Sequence, residues 1–238
     1  MPGMGIIVNM AGIAAGGVAG MLCGRLMKER FQQTLMKACA VAIIFLGLGG
    51  TLQEMLYLAP DGYISCTGTN MMLGSLILGA LAGELLNLED RLVQLGEWLK
   101  RRSGSGSDAA FVDGFVTASL TVCIGAMAVI GSINDRLLGD ATVLFVKTVL
   151  DCIIVMMLAA AMGKGCIFSA VSVGIFQGSI FLLAGFAEPL MTEGALTNLG
   201  YVGNILIFCV GINLLGAAHI RVANLLPALL AAVGWSFL

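Results

Sequence analysis

Charge is scarce in this chain. Only 11% of its 238 residues are charged, against about 25% in soluble domains, and a shortage that deep excludes an ordinary water-facing surface. Histidine is scarcer still, with His219 alone. That excludes a His-rich metal centre and leaves few candidates for acid–base or His-assisted nucleophilic catalysis. The seven cysteines never fall at CxxC or CxxH spacing, and only Cys66 lies in a clear loop. Neither a soft-metal site nor a disulfide framework is therefore expected. Walker, GxSxG, HExxH and Rossmann fingerprints are missing, so no enzymatic activity and no cofactor are expected, and ATP-driven work would need another subunit. The opening MPGMGIIVNMAGIAAGG has no basic n-region, which favours a retained helix over a cleaved signal.

What is present is apolar. Hydrophobic residues make up 59% of the chain, more than one water-soluble core can hide, so lipid must solvate much of it. Glycine, at 33 residues, has about twice its usual share, which lets helices approach closely and permits unwound segments. At 1.5 Å rise per residue a span needs about 20 apolar residues. On that basis spans are predicted near 4–24, 33–52, 70–87, 110–132, 141–162, 165–187, 195–217 and 222–238. The last is the shortest, so seven or eight spans are expected. The fold class is all-α, a polytopic transmembrane bundle that forms one integral membrane domain over 1–238.

Basic residues set the orientation. One series of alternate loops holds Arg25, Lys28, Arg30, Lys37, Arg91, Lys100, Arg101, Arg102, Lys164 and Arg221, and the opposite series holds only Arg136. The positive-inside rule then places the N-terminus outside and the basic loops in the cytoplasm. Glu54, Asp61, Glu188 and Glu193 fall in outer loops. The longest cytoplasmic connection carries Leu85, Leu88, Leu92, Leu95 and Leu99 at helical spacing. Residues 85–102 therefore read as an amphipathic helix on the membrane surface, with a partner-docking face as the alternative. Residues 103–108, rich in Ser and Gly, read as a flexible linker. An internal echo links GGVAGMLCGRLMKERF (16–31) with GALAGELLNLEDRL (79–92), consistent with a duplicated hairpin.

The strongest candidate site lies in GSINDRLLGDATVLFVKTVLDC, residues 131–152. Lys147 and Asp151 are spaced i, i+4 inside an apolar run, so a helix puts them on one face where they can neutralise each other. Asp151 is deep in the span; Lys147, nearer the outer end, could snorkel outward. The preceding turn with Asn134, Asp135, Arg136 and Asp140 reads either as a plain outer loop or as a chain dipping into a wet vestibule. Carboxylates there would suit protons or hard cations. Asn9 and Asn213 are expected to supply polar groups at mid-depth. Other polar residues within spans, such as Gln177, Ser179, Asn204 and Thr121, read first as interhelical hydrogen bonds, each worth about 0.6 kcal/mol. Asn224, just before Pro227, reads as a cap for the last helix.

Taken together, GIIVNMAGIAAGGVAG, GFVTASLTVCIGAMAVIGSINDRLLGD, KTVLD and GINLLGAAHIRVANLLPALL resemble the YdfK/YqgA-type family, bacterial inner-membrane proteins classed as domain of unknown function 554. The resemblance spans essentially the whole chain. It implies a bacterial plasma-membrane protein of a group described as transporters, with no established substrate and no catalytic residues. The motif positions it carries over are Asn9, Asn134, Asp135, Asp140, Lys147, Asp151, Asn213, Arg221 and Asn224.

The expectation is a secondary transporter of a small polar or charged solute, coupled to H⁺ or Na⁺. Asp151 would be the coupling carboxylate, Lys147 its partner or the contact for an anionic substrate, and Asp135 and Asp140 the lining of an outer entrance. An ion channel and a non-transporting scaffold are the alternatives. Expected partners are the lipid bilayer and the solute or ion, with no nucleic acid; glycine-lined faces leave room for a homo-oligomer.

Overall fold

The computed structural model describes every residue except Met1, Met27, Asp61, Ser107, Gly125, Glu188, Pro189, Met191 and Leu238. Two of the acids assigned above to outer loops, Asp61 and Glu188, thus lie outside the described residues. In chain order the helices are α1 (Met4–Leu26), α2 (Glu29–Met55), α3 (Thr69–Leu86), α4 (Leu88–Arg102), α5 (Phe111–Cys123), α6 (Ala126–Leu137), α7 (Thr142–Met162), α8 (Ser169–Ala187), α9 (Glu193–Leu215) and α10 (Pro227–Trp235). A short antiparallel hairpin, Leu56–Leu58 with Ile64–Cys66, joins α2 to α3, pairing Leu56 with Cys66 and Leu58 with Ile64. Single turns of 3-10 helix precede α8 (Lys164–Phe168) and α10 (Val222–Leu225). All seven cysteines are free thiols.

Among the described residues six helical segments are long and apolar enough to cross a bilayer: α1, α2, α3, α7, the segment Lys164–Phe186 and α9. A seventh exists only if α5 and α6 count together, because the predicted continuous span over 110–132 is bent by 64° between them. The break follows from Ile124, which turns to an extended conformation after Cys123. Among the described residues the predicted eighth span falls short of one: the apolar helical stretch Val222–Trp235, of which α10 is 9 residues, stays below the roughly 20 residues a bilayer requires.

Glycine sets the packing. Along α1 the stripe Gly12, Gly16, Gly20, Gly24 runs parallel to α7, and a Cβ built on these positions would strike Thr148 and then the carbonyl oxygens of Cys152, Met156 and Ala160 in turn. The two backbones meet with nothing between them. Elsewhere Gly47 and Gly211 seat α2 antiparallel against α9, and Gly79 and Gly83 seat α3 antiparallel against Ala228 and Asn224. These faces are therefore consumed inside one chain and are not presented to a second copy. The echoed segments 16–31 and 79–92 consequently share glycine-rich character without sharing a packing mode: one partner is parallel, the other antiparallel.

The amphipathic helix exists as α4, but its apolar stripe has a different home. Asn87, in the left-handed region at φ 48°, separates it from α3, so Leu85 is 88% exposed on α3. Leu92, Leu95 and Leu99 bed instead against Phe111 and Phe115 of α5. The stripe faces protein, which explains its regular spacing without a membrane surface. The described part of the 103–108 segment is a compact turn: the amide N–H of Ser105 donates to the Lys100 carbonyl at 3.0 Å, and Ser105 is buried.

Candidate functional site

Helix α7 divides into two faces. Phe145, Val146, Val149, Leu150 and Ile153 are exposed, while Leu144, Lys147, Asp151, Val155 and Leu158 point inward. Lys147 and Asp151 retain only 7% and 3% exposure, so the lysine turns inward and does not snorkel. Its Nζ donates to Asp151 Oδ1 at 2.8 Å and to the carbonyl oxygen of Val122 at 2.8 Å. That carbonyl belongs to the last turn of α5, where the break leaves carbonyls without intrahelical donors. Asn9 of α1 donates its Nδ2 to the second carboxylate oxygen, Asp151 Oδ2, at 3.1 Å. The pair is thus tied on one side to the end of a broken helix and on the other to the parallel neighbour α1.

The remaining candidates go elsewhere. The stretch carrying Asn134, Asp135 and Arg136 is helical, not a loop. Asp135 is fully buried and accepts the backbone N–H groups of Gly3 and Gly5 on its two oxygens, each at 3.0 Å. It caps the start of α1 from a distant helix, where a carboxylate also suits the positive end of the helix dipole. It therefore does not line an entrance. Asn134 lies in the last turn of α6, its carbonyl accepting N–H from Leu138 at 2.9 Å and Asp140 at 3.3 Å. Arg136 lies over the Phe181 ring of α8, 5.3 Å from its centroid, a cation–π contact. Asp140 is exposed and accepts the Thr142 N–H at 2.9 Å; hydrogen bonds to the Thr142 side chain and backbone hold its carboxyl below the usual range. Hence the four groups Asp135, Asp140, Lys147 and Asp151 do not form one continuous path.

Asn213 is not at mid-depth either. Its side chain donates to the Ile220 carbonyl at 2.6 Å and accepts the Ile220 N–H at 2.8 Å, closing the loop after α9. Asn224 caps α4 rather than α10, accepting the Glu89 N–H at 2.7 Å and donating to Glu84 at 2.8 Å. Arg221 braces the same corner through Glu84 at 3.1 Å and Asp90 at 2.9 Å. Beside this corner a cavity of about 510 Å³ opens between α2, α4, α5, α9 and the end of α7, with Glu89, Asp90, Asp113, His219 and Arg221 at its polar wall. It reaches Leu120, less than one helical turn along α5 from Val122.

Two features were not anticipated from sequence. The Val122 carbonyl matters only because α5 stops. Gln177 of α8, read as an interhelical hydrogen bond, is fully buried with neither amide atom bonded, and Asn9 Oδ1 shares that condition. Burying such a group unpaired costs about 1–3 kcal/mol on protein mutational scales. A single glutamine in an apolar span carries no sequence signal that distinguishes the two situations.

Comparison with known proteins agrees with the fold. The chain belongs to the family described as protein of unknown function (DUF554), whose model matches residues 4–237. It is 31% identical over 226 residues to the uncharacterized membrane protein YdfK of Bacillus subtilis (strain 168), covering 95% of this chain and 92% of that one. It is 26% identical over 234 residues to the uncharacterized protein YqgA of Escherichia coli (strain K12), with 97% and 94% covered. No solved structure matches.

Proposed function

We propose that this multi-pass membrane protein of the DUF554 family is a secondary transporter of the bacterial inner membrane. It moves a small polar or charged solute, with H⁺ or Na⁺ as the coupling ion, and is not an enzyme. The observation that supports this most is the Lys147–Asp151–Asn9 network buried against the broken end of α5. Ionisable side chains inside a bilayer cost roughly 2.5–3.5 kcal/mol each on insertion scales and cluster on ion and substrate routes. Discontinuous helices are where transporters leave carbonyl groups free to hold a cation. Here the ammonium of Lys147 lies between a carboxylate and a helix-end carbonyl, the seat a coupling cation would take.

Asp151 is the coupling carboxylate in this reading. Protonation would discharge it, release Lys147 and loosen the tie between α7 and the break. The cavity beside Arg221 opens at the basic end of the bundle, the cytoplasmic end under the positive-inside rule, and reaches as far as Leu120 without touching the pair. At the opposite end buried Leu144 and the Asp135 clasp on α1 close the way.

The test uses purified protein in vesicles loaded with a pH-sensitive dye and challenged with amino acids, organic acids, sugars and Na⁺. Solute addition should move protons through the wild type. Asp151→Asn should be silent while retaining its helical circular dichroism and its elution volume. Wild-type flux in that variant would overturn the assignment, and unitary currents in planar bilayers would make the protein a channel.

A further inference from the structure

We infer that the interior beside the α5–α6 break holds a binding site for an uncharged solute, one carrying both a hydrogen-bond donor and an acceptor, seated by Gln177 and Asn9. The inference rests on the transport reading and supplies its substrate class. Gln177 is fully buried and neither its Nε2 nor its Oε1 has a partner; Asn9 is equally buried and its Oδ1 has none. In a membrane interior such groups are satisfied within the protein, by water or by a guest.

The register of α8 against α1 puts these open groups at nearly the same height in the bundle. Gly3 meets Phe181, Gly17 meets Ile167, and Gly174 meets Met10, so the helices run antiparallel in one constant register. Gln177 is level with Ile7, two residues from Asn9, or about 3 Å in height at 1.5 Å per residue. Both lie on inward stripes. Ile13 follows Asn9 on α1 and Val173 precedes Gln177 on α8, and both belong to the core cluster that contains Val122. Val122 is the residue whose carbonyl receives Lys147 at the break.

The charge balance selects the guest. Lys147 and Asp151 already neutralise each other, and the Asn9 N–H is committed to Asp151. An ion arriving here would bring a charge with no counterpart in a medium that penalises it heavily. Left open are the acceptor of Asn9 and the acceptor and N–H groups of Gln177. A primary amide or a polyol presents the matching set; a carboxylate lacks the donor and an alkylammonium lacks the acceptor.

The experiment measures thermal unfolding of the detergent-purified full chain with acetamide or glycerol, against the charged probes acetate and methylammonium. Acetamide or glycerol should raise the wild-type Tm, acetate and methylammonium should not, and Gln177→Leu and Gln177→Met should abolish the rise while unfolding cooperatively. A rise with acetate or methylammonium overturns the inference. So does an equal rise in the Gln177 variants, or no rise with any neutral probe, which would leave an internal water only. Swelling of vesicles in the same neutral solutes separates the two readings. Gln177-dependent binding without Asp151-dependent flux removes the transporter and keeps the site. Asp151-dependent flux indifferent to Gln177 does the reverse.

Discussion

Removing the Lys147–Asp151 pair one member at a time, and then together, tests whether it is a paired and desolvated unit. Lys147→Met strands the Asp151 carboxyl, nearly inaccessible and held only by Asn9; Asp151→Leu strands the Lys147 amine with the Val122 carbonyl alone. Breaking a buried pair by deleting one partner costs about 3–5 kcal/mol, so each single variant should lose roughly 3 kcal/mol of stability. In the double variant no charge is stranded. What is lost is the Asn9 and Val122 hydrogen bonds, at about 1 kcal/mol each, giving about 2 kcal/mol. The two singles would sum to about 6 kcal/mol, so the coupling is about 4 kcal/mol, beyond the usual range of about 0.5–3 kcal/mol for neighbouring residues. Reversible unfolding in mixed micelles measures all four proteins. A double variant as unstable as the sum of the singles, within about 0.5 kcal/mol, would refute the pairing. Transport in the same set makes the further distinction: a stable double variant without flux supports a working site, and one with full flux makes the pair a structural anchor.

Two further expectations concern the frame around the site. Gly20→Ala places a methyl against the Met156 carbonyl and should cost about 1–3 kcal/mol through separation of α1 and α7. Gly49→Ala, with nothing within 4 Å, should be neutral or stabilising by up to about 1 kcal/mol; equal losses in a thermal-melt comparison would dismiss the glycine seam. Asp135→Leu strands the N–H groups of Gly3 and Gly5, costing about 2 kcal/mol. Hydrogen exchange at Gly5 should accelerate while that at Val155 stays slow.

Much of the frame was legible in the sequence because bilayer solvation imposes long apolar runs, and the i, i+4 spacing of Lys147 and Asp151 needs only a helix to bring them together. The break at Ile124 was not legible: residues 110–132 are apolar enough on average to read as one span, and hydropathy reports the solvent of a segment without its curvature. Asp135 misled for a related reason. Its neighbours Asn134, Arg136 and Gly139 resemble a turn, and its partners lie 132 and 130 residues away in α1. Asn213 and Asn224 looked like span interior and helix cap because their true partners, Ile220 and Glu89, are set by how α9 ends and α4 begins. Gln177 is the extreme case, since only a three-dimensional inventory of donors and acceptors reveals an unmet amide.

The clasp of Asp135 on Gly3 and Gly5 also bears on how the protein is made. Helix α1 cannot be capped until α6 has been synthesised, and its glycine seam waits longer still, for α7. Until then α1 is a lone helix in lipid with an open N-terminus. Its docking is a late event that closes a loop of more than half the chain, so assembly of the ion-pair region is ordered after insertion. A chain that stalls before α7 would be inserted yet unlocked, with its glycine face open to quality control.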